Sequence, residues 1–167
     1  MSGMTTDRAE RQVDPVPGAT EPLAVVAAAI VEEGRLLVVS KRAAPDVFYL
    51  PGGKPDAGEE PLDTLSRELD EELEVQPVEP RFLAEVEAVA ALEGIPMRMT
   101  VFAARLDGLP EPAAELADLR WVSGHERDIH LAPAVQDHVL PLLRHSGLLA
   151  QRGTGSGGRC GTAPPLN

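Results

Sequence analysis

Cysteine is almost absent from this chain, and its absence excludes a fold held together by disulfides. The single cysteine, Cys160, lies in a glycine-rich segment and has no partner within the chain. We therefore expect a reducing compartment, the cytoplasm. The longest apolar run, Leu23 to Val31, is much shorter than the roughly 18 residues that suggest a membrane helix. The first residues lack a basic segment followed by an apolar one, so we expect no secretory signal and no contact with a membrane.

Basic residues are also few. The chain has 15 Lys and Arg against 27 Asp and Glu, which gives a formal net charge of −12 at pH 7. Proteins that bind along a nucleic-acid backbone need clusters of basic side chains that displace counterions, so we do not expect a nucleic-acid polymer as a partner. A small polyphosphate is compatible with this charge, because a metal ion can hold an anion beside carboxylates.

The order of the predicted elements indicates one domain of the α/β class. A length of 167 residues suits a single domain, which we place at residues 22–149 between flexible tails at 1–21 and 150–167. Apolar runs and turn signals predict strands at residues 23–31, 35–40, 48–50, 81–92, 97–106 and 116–122, with a loop at 41–47. Helices are predicted at 61–73, where Pro61 suits the first turn, and at 133–143, which Pro141 should kink or shorten. Strands interleaved with one early and one late helix predict a mixed sheet covered on both faces.

The segment from Gly53 to Val75, GKPDAGEEPLDTLSRELDEELEV, concentrates nine carboxylates in 23 residues. Glu68, Glu71 and Glu72 follow an i, i+3, i+4 spacing, so on a helix all three project from one face. Leucines at 62, 65, 69 and 73 form an apolar stripe on the same helix. Because like charges this close repel each other, a divalent cation with oxygen ligands, Mg²⁺ or Mn²⁺, would compensate them. The alternative is a solvated acidic face.

This segment resembles the signature of the Nudix hydrolases, G-x5-E-x7-R-E-U-x-E-E-x-G-U, in which U is an aliphatic residue. The matching positions are Gly53, Glu59, Arg67, Glu68, Leu69, Glu71, Glu72, Leu73 and Val75. One fixed position departs from the pattern, because Glu74 replaces the glycine that ends the helix in the family. Glutamate in a left-handed conformation would cost about 1 kcal/mol, unless the helix runs on toward Pro77.

The resemblance implies the α/β/α sandwich of this family with a mixed β-sheet, and hydrolysis of a nucleoside diphosphate derivative with Mg²⁺, or Mn²⁺ in its place. It implies that the carboxylates of Glu68, Glu71 and Glu72 and the carbonyl of Gly53 bind the metal. Any of the three glutamates could take the proton from water. The resemblance further implies that Arg67 pairs with Glu59 and holds the loop against the helix.

Other candidates lie outside the metal-binding positions. Lys54 and Arg42 could bind phosphate as point charges, and their alternative is simple solvation. Aromatic residues make up only 3% of the chain, and Phe48 and Tyr49 face opposite sides of one strand, so one of them could contact a nucleobase while the other packs in the core. Glu115, just before a strand, is the candidate for an additional metal ligand from a later loop. Asp118, Glu85 and Glu87 are less favoured, and solvation is the alternative for each of these acids.

The residues that distinguish substrates in the family leave a MutT-like nucleoside triphosphate pyrophosphohydrolase as the favoured activity. Ala90 stands where the family's ADP-ribose hydrolases have a proline. The nearby tyrosine of dinucleoside polyphosphate hydrolases and the SQPWPFPxS array of NADH pyrophosphatases are missing. Nucleotide-sugar or ADP-ribose pyrophosphatases are the alternatives within the family. A non-catalytic nucleotide sensor is the alternative of a different class, although such modules usually lose the carboxylates retained here. A homodimer is compatible with all of these readings.

Overall fold

The computed structural model describes residues 21–149. The two predicted tails, 1–21 and 150–167, lie outside the described residues except for residue 21. The strands are β1 Leu23–Glu32, β2 Arg35–Lys41, β3 Ala44–Tyr49, β4 Gly52–Gly53, β5 Pro77–Val89, β6 Pro96–Leu106, β7 Leu116–Val122 and β8 His130–Leu131. The helices are α1 Pro61–Leu73 and α2 Leu140–His145, and a π-helical segment, Ala134–Val139, leads directly into α2. No helix in this part of the chain is long and apolar enough to cross a membrane.

The strands between residues 21 and 149 form one mixed sheet with β1 near its centre. The order is β5-β6-β1-β2-β3-β8, while β4 pairs with β1 and β7 pairs with β2. Strand β1 runs parallel to β6, and β3 runs parallel to β8, whereas the other pairs are antiparallel. On its other edge β1 pairs with β4 through Val26 with Gly53 and Ala27 with Gly52. The glycine turn is therefore held directly against the centre of the sheet.

The two helical regions cover opposite faces of the sheet. Alternate residues of a strand point to opposite faces, and β1 supplies both cores. Residues 26, 28 and 30 pack with the leucines of α1 at 65, 69 and 73. Residues 27 and 29 pack with residues 135, 139 and 143 of the C-terminal helical region. The predicted α/β class and the α/β/α sandwich are confirmed.

Helix α1 begins and ends where the sequence predicts. The stripe is deeply buried at residues 65, 69 and 73, whereas Leu62 in the first turn is 45% exposed and adds little to the core. The helix ends because Glu74 adopts a left-handed conformation, with φ 57° and ψ 37°. Its N–H donates to the carbonyl of Asp70 at 3.1 Å. The helix therefore does not run on to Pro77, and glutamate takes the strained conformation that glycine accepts more readily.

Strands β3, β5 and β8 differ from the prediction. Strand β3 begins at Ala44, so the predicted loop at 41–47 is wrong over its second half. Strand β5 spans Pro77–Val89 rather than 81–92, and two register shifts against β6 interrupt its alternation. Strand β8 was not predicted. It has only two residues, His130 and Leu131, and exists because they pair with β3.

The predicted helix at 133–143 is divided into two segments. Residues 134–139 form π-helical turns, and Leu140 N–H donates to the carbonyl of Val135, five residues earlier. Regular α-helix follows, with Pro141 in its first turn. Proline has no N–H to donate to a carbonyl of the preceding helical turn. The change from π-helix to α-helix just before Pro141 puts this residue in a first turn, where no such hydrogen bond is needed. The helical region passes through Pro141 and ends at His145, beyond the predicted end at 143, so the predicted shortening at Pro141 is wrong. The alternative outcome, a kink at Pro141, stays a prediction.

Candidate active site

A cavity of about 330 Å³ opens beside the glycine turn of β4, within the range of ligand pockets in proteins, about 300–1,000 Å³. One wall is apolar and comes from the starts of β1 and β6, where Leu23 pairs with Met97 and Val25 pairs with Met99. The 89–93 end of the β5–β6 hairpin adds to this wall. The charged side chains that line the cavity are Lys41, Lys54, Asp56, Arg67, Glu68, Glu93 and Glu115.

The glycine turn meets the acidic face of α1 at close range. Gly52 N–H donates to Glu72 Oε1 at 3.0 Å, and Glu72 is only 2% exposed. A Cβ on Gly52 would collide with the backbone of Val26, and Gly52 has φ +147°. A Cβ on Gly53 would collide with the carboxylate of Glu68. Gly52 is therefore required for this turn, whereas Gly53 leaves room for the carboxylate of Glu68 in the conformation shown.

Arg67 organises the loop between the glycine turn and α1. Its Nε and Nη2 donate to the two carboxylate oxygens of Glu59 at 2.9 Å each, a bidentate pair. Nη2 also donates to the carbonyl of Lys54 at 3.0 Å, and Nη1 donates to Glu68 Oε1 at 2.8 Å. Nη1 lies 3.5 Å from Glu71 Oε2. The expected pair with Glu59 is present, and the same guanidinium touches two of the three predicted metal ligands.

The acids of the site have strongly different proton affinities. Burial raises the pKa of Glu72 to about 8. The hydrogen bond from Gly52 N–H favours the charged carboxylate and opposes this rise. Burial also raises the pKa of Glu68, while Arg67 opposes this shift. Hydrogen bonds from Arg67 lower the pKa of Glu59 to about 2. Glu59 is therefore a permanent anion that holds Arg67, whereas burial disfavours the charged forms of Glu68 and Glu72.

These glutamates fit a divalent cation by their chemistry. They supply carboxylate oxygens, the hard donors that Mg²⁺ and Mn²⁺ prefer, and a cation would offset the burial that disfavours the charged forms of Glu68 and Glu72. In the conformation shown, no three Asp, Glu, His or Cys side chains between residues 21 and 149 are grouped as a metal site. Glu68 and Glu71 point to Arg67 instead, and Glu72 points to Gly52. The fit therefore lies in donor type, helix face and burial.

The predicted substrate-binding residues divide into two pairs. Lys54 and Tyr49 line the cavity. Phe48 is 6% exposed in the core, with the guanidinium carbon of Arg120 5.6 Å from its ring centroid, and Arg42 is exposed without lining the cavity. Burial, followed by the charges of nearby glutamates, raises the pKa of Tyr49, so its phenol stays neutral. Of these four residues, only Lys54 and Tyr49 are placed to contact a ligand in the cavity.

Each of the four candidate acids outside α1 lies beside a basic side chain. Glu115 lines the cavity, but its Oε1 lies 3.7 Å from Lys41 Nζ. Asp118 accepts a hydrogen bond from Arg120 at 2.9 Å, and Arg98 pairs with both Glu85 and Glu87. The role of Glu115 as a metal ligand stays a prediction.

Sequence reasoning missed two parts of the cavity. The sequence predicts Lys41 as the first residue of a loop, whereas it ends β2 and lines the cavity. Residues 89–93 are predicted as strand and turn, and only Ala90 among them is linked to substrate choice by the resemblance. Their place in the cavity depends on the pairing of β5 with β6, which a single sequence does not reveal.

Comparisons with known proteins agree with this geometry. The NUDIX domain family model matches residues 20–143. Among solved structures, the chain is similar to a MutT NUDIX hydrolase from Burkholderia pseudomallei, at 26% identity and TM-score 0.61, covering 74% of this chain and 95% of that one. It is also similar to a UDP-X diphosphatase, at 24% identity and TM-score 0.65, covering 87% and 73% of the two chains. A third similar structure is the NUDIX domain of Shewanella oneidensis NrtR complexed with ADP ribose, at 20% identity and TM-score 0.61, covering 84% and 99%.

The second and third likenesses support the fold alone. The comparison with curated proteins finds no match. The family match extends over most of the chain, so the chain belongs to the Nudix family and is a Nudix hydrolase. Enzymes of this family generally use divalent metal ions.

Proposed function

We propose that this Nudix hydrolase cleaves a diphosphate bond in a nucleoside diphosphate derivative, and that its substrate is a (d)NTP, as in enzymes of the MutT type. One observation carries the proposal. Glu68 and Glu72 meet the Gly52–Gly53 turn on one face of α1, at the edge of a cavity that also holds Lys54. The carboxylates of α1, the backbone of the glycine turn and the ammonium of Lys54 are therefore grouped around the same cavity.

Glu68, Glu71 and Glu72, together with the carbonyl of Gly53, would hold Mg²⁺, or Mn²⁺ in its place. A metal held by these residues would supply positive charge to the phosphate oxygens and would make a water easier to deprotonate. The general base is one of the three glutamates.

The remaining residues position these groups and the substrate. Arg67, fixed by Glu59, ties the 54–59 loop to α1 through the carbonyl of Lys54. It therefore sets the distance between the loop and the acidic face. Lys54 presents a positive charge to the cavity, where it would attract a phosphate group. The apolar wall and the ring of Tyr49 would cover the uncharged part of the substrate and exclude water from it.

The choice of a (d)NTP rests on narrower support. The residues that accompany ADP-ribose and dinucleotide hydrolysis in related enzymes are missing, and Ala90, at the ADP-ribose position, lies in the cavity wall. The MutT NUDIX hydrolase from B. pseudomallei shares 26% identity with this chain.

A substrate screen tests the proposal. The full chain is incubated with the NTPs, the dNTPs, nucleotide sugars, ADP-ribose and dinucleoside polyphosphates, with Mg²⁺ or with a chelator. We expect Mg²⁺-dependent release of pyrophosphate from at least one triphosphate and none with the chelator. Cleavage restricted to a nucleotide sugar or to ADP-ribose would replace the MutT assignment. Tight binding of one nucleotide without hydrolysis of any would indicate a sensor instead of an enzyme.

A further inference from the structure

Lys41 is a charged residue of the cavity whose ammonium makes no hydrogen bond to the part of the chain that the structure describes. It ends β2, and its side chain is 30% exposed. Its Nζ lies 3.7 Å from Glu115 Oε1 and 6.0 Å from the centroid of the Tyr49 ring. Neither contact is a hydrogen bond, and no other residue between 21 and 149 accepts one from this ammonium. An ammonium carries three hydrogen-bond donors. The two contacts fix the position of the Lys41 ammonium but use none of these donors.

The other basic side chains of the cavity differ from Lys41. Arg67 uses its donors on Glu59, Glu68 and the carbonyl of Lys54. Lys54 follows the glycine turn, whereas Lys41 comes from β2, so the two ammonium groups approach the cavity from different elements.

Glu115 is held against the end of β2 by the backbone. Its carbonyl accepts a hydrogen bond from Arg42 N–H at 2.9 Å, and the next residue, Leu116, pairs with Lys41 in the sheet. The Glu115 side chain is 65% exposed, more than twice the value for Lys41. The contacts of the ammonium with Glu115 and with the Tyr49 ring therefore restrict where it can lie.

Lys41 shares the cavity with part of the acidic face of α1. Lys41, Lys54 and Glu68 all line the same cavity of about 330 Å³. A polyphosphate bound in this cavity could therefore contact the ammonium of Lys41 while it lies beside the acidic face of α1.

We propose that Lys41 is a substrate-binding residue that holds a phosphate oxygen of the polyphosphate, and that Glu115 is its positioning residue rather than a metal ligand. The inference rests on the proposed function, because it requires a polyphosphate in the cavity. The ligand class is an anionic phosphate, which an ammonium recognises as a compact point charge.

Binding of magnesium pyrophosphate to the full chain, measured by calorimetry, tests the first half. Lys41→Met keeps the apolar stem and removes the charge, and we expect binding to weaken by about tenfold to a hundredfold, as for loss of a hydrogen bond to a charged group. Lys41→Arg should recover most of the affinity. Arg35→Met, at the opposite end of β2, is the matched control and should bind like the wild type.

A double-mutant cycle tests the second half. Glu115→Gln should weaken pyrophosphate binding when Lys41 is present and have little effect in the Lys41→Met background, because Glu115 acts through Lys41. Affinity for Mn²⁺ alone, measured by electron paramagnetic resonance, should not change in Glu115→Gln. For a hydrolysed triphosphate, KM should rise more than kcat falls in both single variants.

Equal pyrophosphate affinity in Lys41→Met and wild type, or no binding to wild type, would overturn the role of Lys41. A tenfold or greater loss of Mn²⁺ affinity in Glu115→Gln would show that Glu115 is a metal ligand. If the wild type hydrolyses no nucleotide but Lys41→Met still weakens pyrophosphate binding, the proposed function fails while the phosphate site stands.

Discussion

Replacing Glu74 by glycine should stabilise the protein, because the end of α1 holds a glutamate in a left-handed conformation. Glu74 has φ 57° and ψ 37°, a region that costs an L-residue about 1–2 kcal/mol. Glycine removes that cost. However, glycine has more conformational freedom in the unfolded chain, which lowers the free energy of unfolding by about 0.4–1 kcal/mol. Removing a carboxylate from a helix C-terminus adds about 0.3–1 kcal/mol. The expected net gain is about 1 kcal/mol, or about 2–4 °C in Tm for a chain of this size.

The assay is urea denaturation of the full chain, followed by circular dichroism at 25 °C. Glu74→Ala is the matched control, since it removes the charge but keeps a Cβ at positive φ. The predicted order of stability is glycine above alanine above glutamate. Mg²⁺-dependent turnover should be unchanged in both variants, because Glu74 does not line the cavity. A glycine variant no more stable than the alanine variant would refute the strain argument.

Two further predictions follow from the turn of β4 and from the loop after β7. Gly52→Ala should lower the free energy of unfolding by at least about 2 kcal/mol and abolish turnover, because its Cβ would collide with the backbone of Val26. Gly58→Ala is the control, since Gly58 also has a positive φ, +77°, but no atom lies within 4 Å of the added Cβ. This variant should lose only about 1 kcal/mol of stability. Comparable losses in the two variants would contradict the steric account. Burial raises the pKa of Glu126 but hydrogen bonds from residues 123–124 outweigh it, so the pKa is lowered on folding. Its stabilising effect is therefore complete above the unfolded pKa and lost as pH falls, so the stability difference between wild type and Glu126→Gln should narrow below about pH 4. A difference that stays constant from pH 7 to pH 3 would contradict this.

Local signals explain which parts of the fold were predictable. Helix α1 was correctly bounded because Pro61 marks its first turn and the leucine spacing defines its buried face. Strands β1 and β2 were found because both are continuous apolar runs around the Glu33-Gly34 turn. Strand β8 was missed because a two-residue strand has no periodicity, and its existence depends on a partner about 80 residues earlier in the chain.

The candidate site likewise has one part that the local sequence predicts and another part that depends on pairing between distant strands. The motif residues from Gly53 to Glu72 lie within one turn, loop and helix, so their spacing in sequence largely determines their geometry. Lys41 and the 89–93 hairpin end reach the cavity only because β1 pairs with β6 and β2 pairs with β7. The predicted end of α1 at Leu73 is correct, but the sequence left the left-handed conformation of Glu74 open, because this conformation and one more helical residue differ by only about 1 kcal/mol.

The central claim is that the acidic face of α1 carries Mg²⁺-dependent hydrolysis, and Glu71→Gln and Glu72→Gln test it most directly. Each variant is assayed on the best nucleotide from the screen with saturating Mg²⁺, beside Asp70→Asn, an exposed acid of the same helix, as control. The account predicts a loss of at least about 100-fold in kcat for both glutamine variants, with circular dichroism spectra like those of the wild type and an active control. Full activity in both glutamine variants would contradict it.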